Sequence, residues 1–429
     1  MKRKKIALLI PSIYGGGAER DLLILAGVLK ATYEVDIITL ESGAQYETPR
    51  GVSTVNLTGI SGRSSFFLKA LFFPLQWVRL KRLLKRKRYD IVIGYLERVC
   101  LLLSLIRLRE PCPKKIFSFR VYQSLHIIKE ELPLHIKALR NSVYKRFIRR
   151  SQRYADLIVV PGKGVKDDLE SFFCLDPSGI EVVYYGHQQE LMKRLSSESL
   201  GPEVEGLLSR GPLITTVGRL AKQKGQWHLI RVFTEVRKKM PGSRLLILGE
   251  GPLKGYLVRL AEDLGNRVCS VKNGEKKNIA ECDIVFLDFQ PNPFKYLKSS
   301  TVFALPSLWE GLANVLVEAL VCGVPVVSSD CRAGPREVLA PGTDIRRETK
   351  EPEFAEYGVL MPTFDDRFYS AGAPLSATEL IWADTLFRML LDSGLRQKYT
   401  NESKERAKDF TLEKFRLMWK KILDEVLQS

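Results

Sequence analysis

Short apolar runs alternate along this chain with longer segments of helical periodicity. In the first half each run is bounded by polar or turn residues. Runs that are apolar at nearly every position are typical of parallel strands buried on both faces. The predicted strands are residues 5–10, 35–40, 90–94, 115–119, 155–161 and 179–185.

The same alternation restarts at residue 213 after a polar stretch. The predicted strands of this half are residues 213–217, 244–249, a short one near 268, 284–287, 302–306 and 324–328. Repeated strand–helix alternation predicts an α/β fold with two Rossmann-like, parallel-sheet domains. The predicted division is a first domain at 1–190, a linker at 191–211, a second domain at 212–395 and C-terminal helices at 396–429.

The bulk composition is ordinary except for the charge. The chain has 429 residues, enough for two domains, with 45% hydrophobic and 27% charged residues. The net charge of +18 predicts an anionic partner, either phospholipid, nucleic acid or a phosphorylated substrate.

Two segments concentrate this positive charge. Residues 63–89 contain nine Lys or Arg, no acid and several aromatic residues, and residues 137–153 contain seven more basic residues and no acid. This combination favours helices that lie on an anionic membrane surface. A helix packed on a sheet with a solvated basic side is the alternative. Single-stranded nucleic acid also suits such a surface, but no nucleic-acid fold signature accompanies it.

Several signals bear on the compartment and on metal binding. The sequence predicts no signal peptide and no transmembrane helix. Seven cysteines without a C-x-x-C pair argue against a disulfide framework, and four scattered histidines against a zinc site. A reduced, cytoplasmic setting is expected. No Asp-x-Asp pair occurs, and we expect metal-independent chemistry in which cations replace Mg²⁺.

The strongest chemical signal lies between residues 303 and 320. A strand end is followed by a loop carrying Glu310 and then by a helix that begins near Ala313 and carries Glu318. A helix N-terminus binds phosphate through free N–H groups and its dipole. One carboxylate can then reach a sugar hydroxyl and the other a ribose. Two unrelated glutamates are the alternative, since this spacing is common in helices.

Further candidates follow strand ends. Gly15, Gly16 and Gly17 form a turn between the first strand and a helix, although Arg20 stands where a dinucleotide-binding motif requires its last glycine, so an ordinary tight turn is the alternative. Arg219 and Lys224 follow the strand at 213–217, at the edge where parallel sheets bind ligands. Two cations there can neutralise a diphosphate.

Together these segments resemble the retaining glycosyltransferases of family 4, which have the GT-B fold of two facing Rossmann-like domains with a C-terminal helix crossing back to the first. The resemblance rests on residues 213–225, 249–252, 285–289, 303–320, 323–330, 334–337 and the turn at 15–20.

The resemblance implies roles for individual residues. It assigns Arg219 and Lys224 to the donor diphosphate, Glu318 to the donor ribose and Glu310 to the transferred sugar. It also places the backbone of Ala313, Asn314, Val315, Gly16 and Gly17 near the diphosphate. Leu287 is expected to contact the base, although an apolar strand residue is equally a core residue.

The acceptor side is less specific. Relatives often carry a histidine or an acid after the fourth strand of the first domain, where this chain has Arg120, and His126 follows a little later. Arg120 is therefore the catalytic candidate here, and a structural role is the more common one for a lone histidine such as His126.

These signals predict a peripheral, membrane-associated retaining glycosyltransferase at the cytoplasmic face. It would transfer a hexose or N-acetylhexosamine from a nucleotide diphosphate sugar, with uridine as the expected base, to a lipid-linked glycan such as a polyprenyl-diphosphate oligosaccharide or a lipopolysaccharide core. No cofactor and no nucleic acid are expected. A sugar-nucleotide epimerase and a basic nucleic-acid-binding protein remain the alternatives.

Overall fold

The computed structural model describes residues 3–14, 16–43, 46–62, 64–108, 112–125, 134–272 and 278–428. The chain divides into two compact units. The first combines residues 1–186 with 413–429, and the second is residues 187–412.

The first unit is built on one seven-stranded sheet in which every neighbouring pair is parallel. Its strands are β1 (Lys5–Ile10), β2 (Glu34–Thr39), β3 (Ser53–Asn56), β4 (Ile91–Tyr95), β5 (Lys114–Ser118), β6 (Leu157–Val160) and β7 (Ile180–Val182). They lie in the order β3-β2-β1-β4-β5-β6-β7. Its helices are α1 (Gly17–Leu29), α2 (Phe66–Lys87), α3 (Glu97–Ser104), α4 (Leu134–Arg149) and α5 (Lys163–Ser171).

The central strands match their predictions closely because they are buried apolar runs. In β1 every residue from Ile6 to Ile10 is fully buried, with Ile6 opposite Val35 and Ile91 on its two neighbours. The edge strand β3 was not predicted. Three of its four residues are exposed, so it carries no apolar run for the sequence to reveal.

The second unit contains an eight-stranded sheet in the order β10-β11-β9-β8-β12-β13-β15-β14. Its strands are β8 (Leu213–Val217), β9 (Arg244–Leu248), β10 (Val268–Val271), β11 (Ile284–Leu287), β12 (Val302–Leu305), β13 (Val326–Ser329), β14 (Glu353–Phe354) and β15 (Val359–Met361). Only the edge pair β14–β15 is antiparallel among the pairs of the described residues. The helices are α6 (Gln189–Ser196), α7 (Pro202–Leu208), α8 (Gln226–Lys239), α9 (Lys254–Asp263), α10 (Phe294–Lys298), α11 (Asn314–Val321), α12 (Pro335–Leu339), α13 (Ala377–Leu391) and α14 (Ser393–Ala407).

Two parallel-sheet α/β units confirm the predicted fold class, whereas the linker prediction differs from the structure. Residues 191–211 contain most of helix α6 and the whole of helix α7, both in the second unit. In α7, Val204 and Leu207 pack in a buried cluster with Leu213 and Leu246. Two apolar residues at helical spacing are enough to fix this helix, although the segment is polar overall.

The final helix, α15 (Leu412–Gln428), belongs to the first unit from Glu413 onward. It buries Phe415 and Trp419. A Cβ at Gly186 would lie 2.5 Å from the Cβ of Phe415, so only glycine fits at this approach. The division therefore falls at residue 412, and α14 lies in the second unit although the tail was predicted from residue 396.

Cys269 on β10 and Cys282 before β11 form a disulfide, with their Cα atoms 5.9 Å apart. The sequence argued against a disulfide framework, and this pair differs from that expectation. The two cysteines are 13 positions apart in the chain, and the pairing of β10 with β11 brings them together.

A buried charged network anchors the segment that precedes α13. Glu379 accepts hydrogen bonds from Arg231 Nε and the Ser376 N–H, each at 2.9 Å, and lies 2.9 Å from His228 Nδ1. Arg231 also donates to the carbonyl oxygen of Ser370 at 2.8 Å. Burial opposes ionisation of Glu379, but the hydrogen bonds from His228, Arg231 and Ser376 outweigh it and lower its pKa to about 2.

Candidate active site

The loops at the carboxyl edge of the second sheet pack backbone against backbone. Gly249, which follows β9, has a φ of 139° and lies so close to Gly218 that an added Cβ would be 2.1 Å from its carbonyl oxygen. Gly225 has a φ of 60°, and its Cβ would lie 2.3 Å from the carbonyl oxygen of Pro306. Glycine at these two positions brings the loops after β8, β9 and β12 together at the edge where parallel sheets bind ligands.

Side-chain hydrogen bonds fasten two of these loops to each other. Gln223 Nε2 donates to the carbonyl oxygen of Trp309 at 2.9 Å, and the Leu308 N–H donates to the carbonyl oxygen of Gln223 at 2.8 Å. The loop that carries Lys224 is therefore fixed relative to the loop that carries Glu310.

Lys224 and Glu310 are in direct contact through Lys224 Nζ and Glu310 Oε1. Glu310 is 4% exposed, and its Oε1 also accepts a hydrogen bond from Ser307 Oγ at 2.6 Å. Two backbone hydrogen bonds hold Glu310 in place. Its N–H donates to the carbonyl oxygen of Arg332 at 2.8 Å, and its carbonyl oxygen accepts from the N–H of Ala333 at 3.2 Å. The structure thus brings together a cation and a carboxylate predicted to bind the donor, 86 residues apart in sequence.

Arg219 differs from Lys224 in its surroundings. Its side chain is exposed, and its guanidinium makes no ion pair within the described part of the chain. Its carbonyl oxygen accepts a hydrogen bond from Gln226 Nε2 at 3.1 Å, which fixes the backbone after β8. An exposed guanidinium on a fixed backbone is suited to bind an incoming anion.

The helix α11 begins at Asn314, one residue after the predicted start. Ala313 precedes it in the left-handed conformation, with φ 60° and ψ 76°, and no side chain caps the helix N-terminus. The first N–H groups of a helix have no intrahelical acceptor. The predicted backbone donors of Asn314 and Val315 therefore lie in the first turn of α11.

The remaining donor-site candidates of this unit are buried. Glu318 is 5% exposed on α11, and Leu287 is 5% exposed at the end of β11. Glu318 lies close enough to Cys322 that it adds to the effect of burial, and together they raise the pKa of that thiol to about 12. Leu287 packs in the same cluster as Cys269 and Cys282, so its side chain is a core residue and its backbone ends the strand.

In the first unit, Gly16 and Gly17 lie at the start of α1. Gly16 is the N-cap residue of α1, and because it has no side chain it cannot cap the helix as serine or aspartate would. A Cβ at Gly16 would lie 2.3 Å from the carboxylate of Glu19, which therefore packs against this glycine. An anion that binds there has to displace the Glu19 side chain.

The structure places Arg120 in a buried ion pair. Its Nη2 lies 2.7 Å from Asp21 Oδ2, with both side chains 1% exposed, and its guanidinium is 4.7 Å from the ring of Tyr95. Burial alone would lower its pKa, but the charge of Asp21 outweighs this and raises it. Arg120 joins β5 to α1 and lacks the exposed face that contact with a substrate requires, so the geometry favours an anchoring role over the predicted catalytic one. His126 lies outside the described residues.

Other polar residues at the carboxyl edge of the first sheet were not predicted. They are Glu97 and Gln123, joined by a hydrogen bond of 2.7 Å, and Asp168, which accepts the Ser124 N–H at 3.0 Å. Burial raises the pKa of Asp168 to about 6. For Glu97 and Gln123 the available sequence signal was their position after strands β4 and β5, whereas Asp168 lies inside helix α5.

The described residues contain neither a membrane-spanning helix nor a metal-binding cluster. No helix there is both long enough and apolar enough to cross a membrane. Within the same residues, no three His, Cys, Asp or Glu side chains form a group that could hold a metal ion.

Two parallel-sheet α/β units are the architecture of glycosyltransferases with the GT-B fold. The family model described as "Glycosyltransferase Family 4" matches residues 15–189, and the model described as "Glycosyl transferases group 1" matches residues 211–357. The chain belongs to glycosyltransferase family 4, as the sequence motifs predicted.

Relatives and solved structures agree with this assignment. The chain is 34% identical over 296 residues to an uncharacterized glycosyltransferase of Methanocaldococcus jannaschii, covering 67% of this chain and 69% of the other. It is 28% identical over 410 residues to the N-acetylgalactosamine-N,N'-diacetylbacillosaminyl-diphospho-undecaprenol 4-alpha-N-acetylgalactosaminyltransferase of Campylobacter jejuni, covering 95% and 96% of the two chains. Sucrose-phosphate synthase from Thermosynechococcus elongatus superposes with a TM-score of 0.74 over 99% of this chain and 100% of the other, and at 16% identity it shows the fold alone.

Proposed function

We propose that this glycosyltransferase moves an N-acetylhexosamine or hexose from a UDP-sugar to a lipid-linked glycan, with retention of anomeric configuration and without a metal ion. The proposed binding of the UDP-sugar rests on one observation, the pairing of Lys224 with Glu310. The exposed Arg219 lies on the same loop as Lys224, and α11 begins four residues after Glu310, at Asn314. Cations and main-chain N–H groups at one edge suit a leaving diphosphate.

Each residue then has a task in the donor half of the reaction. Arg219 and Lys224 neutralise the charge that develops on the diphosphate as the glycosidic bond breaks. Glu310, held by Ser307 and Lys224, accepts a hydrogen bond from the transferred sugar. When Lys224 turns toward phosphate, Glu310 gains acceptor capacity for a sugar hydroxyl.

The other donor contacts are backbone or ribose contacts. Glu318 would accept hydrogen bonds from the ribose, the backbone at Leu287 would contact the base, and the N–H groups of Gly16 and Gly17 would approach the diphosphate. The acceptor hydroxyl would attack from the face that the diphosphate leaves, with the departing phosphate taking its proton. Bond formation to the acceptor and bond cleavage to the diphosphate then occur on one face, which retains the configuration.

The acceptor class is proposed from the Campylobacter relative. That enzyme is named for an acceptor on diphospho-undecaprenol and aligns with 95% of this chain. A polyprenyl-diphosphate-linked oligosaccharide is accordingly our first choice, ahead of a lipopolysaccharide core.

The surface of the first unit supports a place at an anionic membrane, which we assign to the cytoplasmic face. Phe67 and Leu71 on α2 are 70% and 73% exposed, and Leu139 on α4 is 70% exposed. Lys85, Arg86 and Lys87 form the last turn of α2. Apolar residues that enter the lipid interface, together with cations that contact its phosphates, are the composition of peripheral membrane helices.

The test is nucleotide diphosphate release from a panel of UDP- and GDP-sugars. It is measured with and without vesicles that carry a synthetic polyprenyl-diphosphate-linked N-acetylgalactosamine, in buffer with EDTA, and the product's anomeric configuration is read by NMR. We expect acceptor-dependent release from a UDP-sugar and an α-linked product. Release that is equally fast without acceptor would contradict the transferase reaction, and abolition by EDTA would contradict metal independence.

A further inference from the structure

The carboxylates at the carboxyl edge of the first sheet differ in their partners. Asp21 is paired with buried Arg120, and Glu41 is paired with Arg98 and Lys69. Glu97 is half-buried and makes no ion pair within the described residues. It is thus a carboxylate with hydrogen-bonding capacity left for a ligand.

The local backbone and a neighbouring side chain orient Glu97. Leu96 precedes it at the end of β4 with a φ of 69°, a conformation that costs a residue with a Cβ roughly 1–2 kcal/mol. From the loop after β5, Gln123 Nε2 donates to Glu97 Oε1 at 2.7 Å. The carboxylate is therefore placed by two separate segments.

Within the described residues, a buried polar atom beside Glu97 has no hydrogen-bond partner. Gln123 is fully buried, and its Oε1, on the same amide that contacts Glu97, accepts no hydrogen bond from the described part of the chain. Ser118, whose carbonyl oxygen accepts the Leu96 N–H at 3.0 Å, is fully buried as well, and its Oγ has no partner there either. Buried polar groups are nearly always hydrogen-bonded, so the Gln123 oxygen beside the Glu97 carboxylate points to a hydrogen-bonding ligand.

The chemistry of these atoms selects the kind of ligand. Glu97 and the Gln123 amide oxygen accept hydrogen bonds, and the cations Arg98 and Arg120 are in ion pairs. Within the described residues, the buried Nε and Nη1 of Arg120 have no hydrogen-bond partner, so donors accompany these acceptors at the same edge of the sheet. A neutral ligand whose hydroxyls both donate and accept suits this combination. We propose that Glu97 binds a hydroxyl of the acceptor saccharide and that Gln123 positions its carboxylate, an assignment that rests on the proposed transferase function.

The kinetic test compares Glu97→Gln with Glu181→Gln, a change of the same kind on an exposed residue of β7. Initial rates are measured against polyprenyl-diphosphate-linked N-acetylgalactosamine at saturating UDP-N-acetylgalactosamine. We expect Glu97→Gln to raise the acceptor KM by roughly 10–100-fold, the range for one charge-assisted hydrogen bond. The Kd for UDP and the Tm should stay at wild-type values, as should all parameters of Glu181→Gln. An unchanged acceptor KM, or a parallel loss of UDP binding or Tm, would overturn the assignment.

A binding measurement separates this inference from the proposed function. Saturation-transfer NMR with methyl N-acetyl-α-galactosaminide reports contact with the sugar whether or not turnover occurs. We expect signals with wild-type protein and Glu181→Gln, and their loss with Glu97→Gln. Equal signals from all three proteins, or none from wild type, would refute a saccharide site at Glu97, whereas a negative donor panel with a positive NMR result would refute only the transferase reaction.

Discussion

At the scale of single residues, the two donor-site cations have different energetic roles. Lys224 shares a buried environment with Glu310, and its side chain is 17% exposed, whereas Arg219 is exposed and unpaired within the described residues. Removing a partner from a buried carboxylate costs stability, and removing an exposed guanidinium does not. The same substitution at the two positions therefore has separable effects.

For Arg219→Ala we expect kcat/KM for the donor to fall by roughly 10–100-fold, since one charge-assisted contact to the diphosphate is lost. The Tm should be unchanged. Arg259→Ala, a change at an exposed position of α9, is the matched control and should retain wild-type kinetics. Undiminished donor kinetics in Arg219→Ala would remove the main support for the diphosphate site.

For Lys224→Ala we expect a similar loss of activity together with a loss of stability of roughly 1–3 kcal/mol, because Glu310 is left buried without its cation. Chemical denaturation at pH 7 measures this. The double change Lys224→Ala with Glu310→Gln should recover part of the stability without recovering activity. If Lys224→Ala had the same free energy of unfolding as the wild type, the Lys224–Glu310 ion pair would not contribute to stability.

At the scale of elements, α11 starts under backbone strain. Ala313 adopts a conformation that glycine tolerates better, at the residue directly before the first turn of the helix. The network around Glu379 shows the opposite case, an anchored segment in which every cited group is paired. The strained residue lies at the proposed diphosphate site, whereas the anchored segment holds the start of α13.

We expect Ala313→Gly to stabilise the protein by about 1 kcal/mol, the cost of holding a Cβ in the left-handed region. Ala319→Gly, inside the same helix, should instead destabilise it by about 1 kcal/mol or more. Urea denaturation of the two variants gives the comparison. Destabilisation by both changes to the same extent would contradict the strain at Ala313.

The Glu379 network makes stability depend on pH in a defined window. The folded pKa of Glu379 is about 2, below the ordinary value of 4.5, so its contribution is complete above pH 4.5 and is lost as pH falls toward 2. Glu379→Gln should lose roughly 3–5 kcal/mol at neutral pH, because Arg231 is left buried without its carboxylate. It should also show a shallower decline in stability below pH 4.5 than Glu262→Gln, an exposed control on α9.

At the scale of the whole molecule, the net charge of +18 acts together with the exposed apolar residues of α2. Electrostatic attraction to anionic lipid weakens with salt, while apolar insertion does not. If electrostatic attraction and apolar insertion both contribute, membrane binding should decline only partly as the salt concentration rises.

The corresponding experiment is sedimentation with vesicles. We expect binding to vesicles that contain phosphatidylglycerol, weaker binding at high salt and little binding to purely zwitterionic vesicles. Changing Phe67 and Leu71 together to serine should reduce binding about tenfold or more. Leu417→Ser, at a 53% exposed position of α15, is the control. Equal binding by all three proteins would place the membrane surface elsewhere.

The sequence predicted buried features better than edges and partners. Fully buried runs such as β1 define their own boundaries, while the exposed edge strand β3 and the polar helix α7 have little local signal. Glu310 and Lys224 were selected through the resemblance to family 4, and their direct contact could not be predicted because it depends on loop packing across 86 residues. The burial of Arg120 against Asp21 could not be predicted, since it depends on a partner 99 positions earlier that no local pattern identifies.

The membership of α15 in the first unit has a consequence for biosynthesis. The first unit is discontinuous, because the whole of the second unit lies between its sheet and the helix that supplies Phe415 and Trp419. The sheet of the first unit is therefore synthesised before that helix exists. The first unit can complete its fold only after residues 413–428 have been made, even though most of it precedes the second unit in the chain.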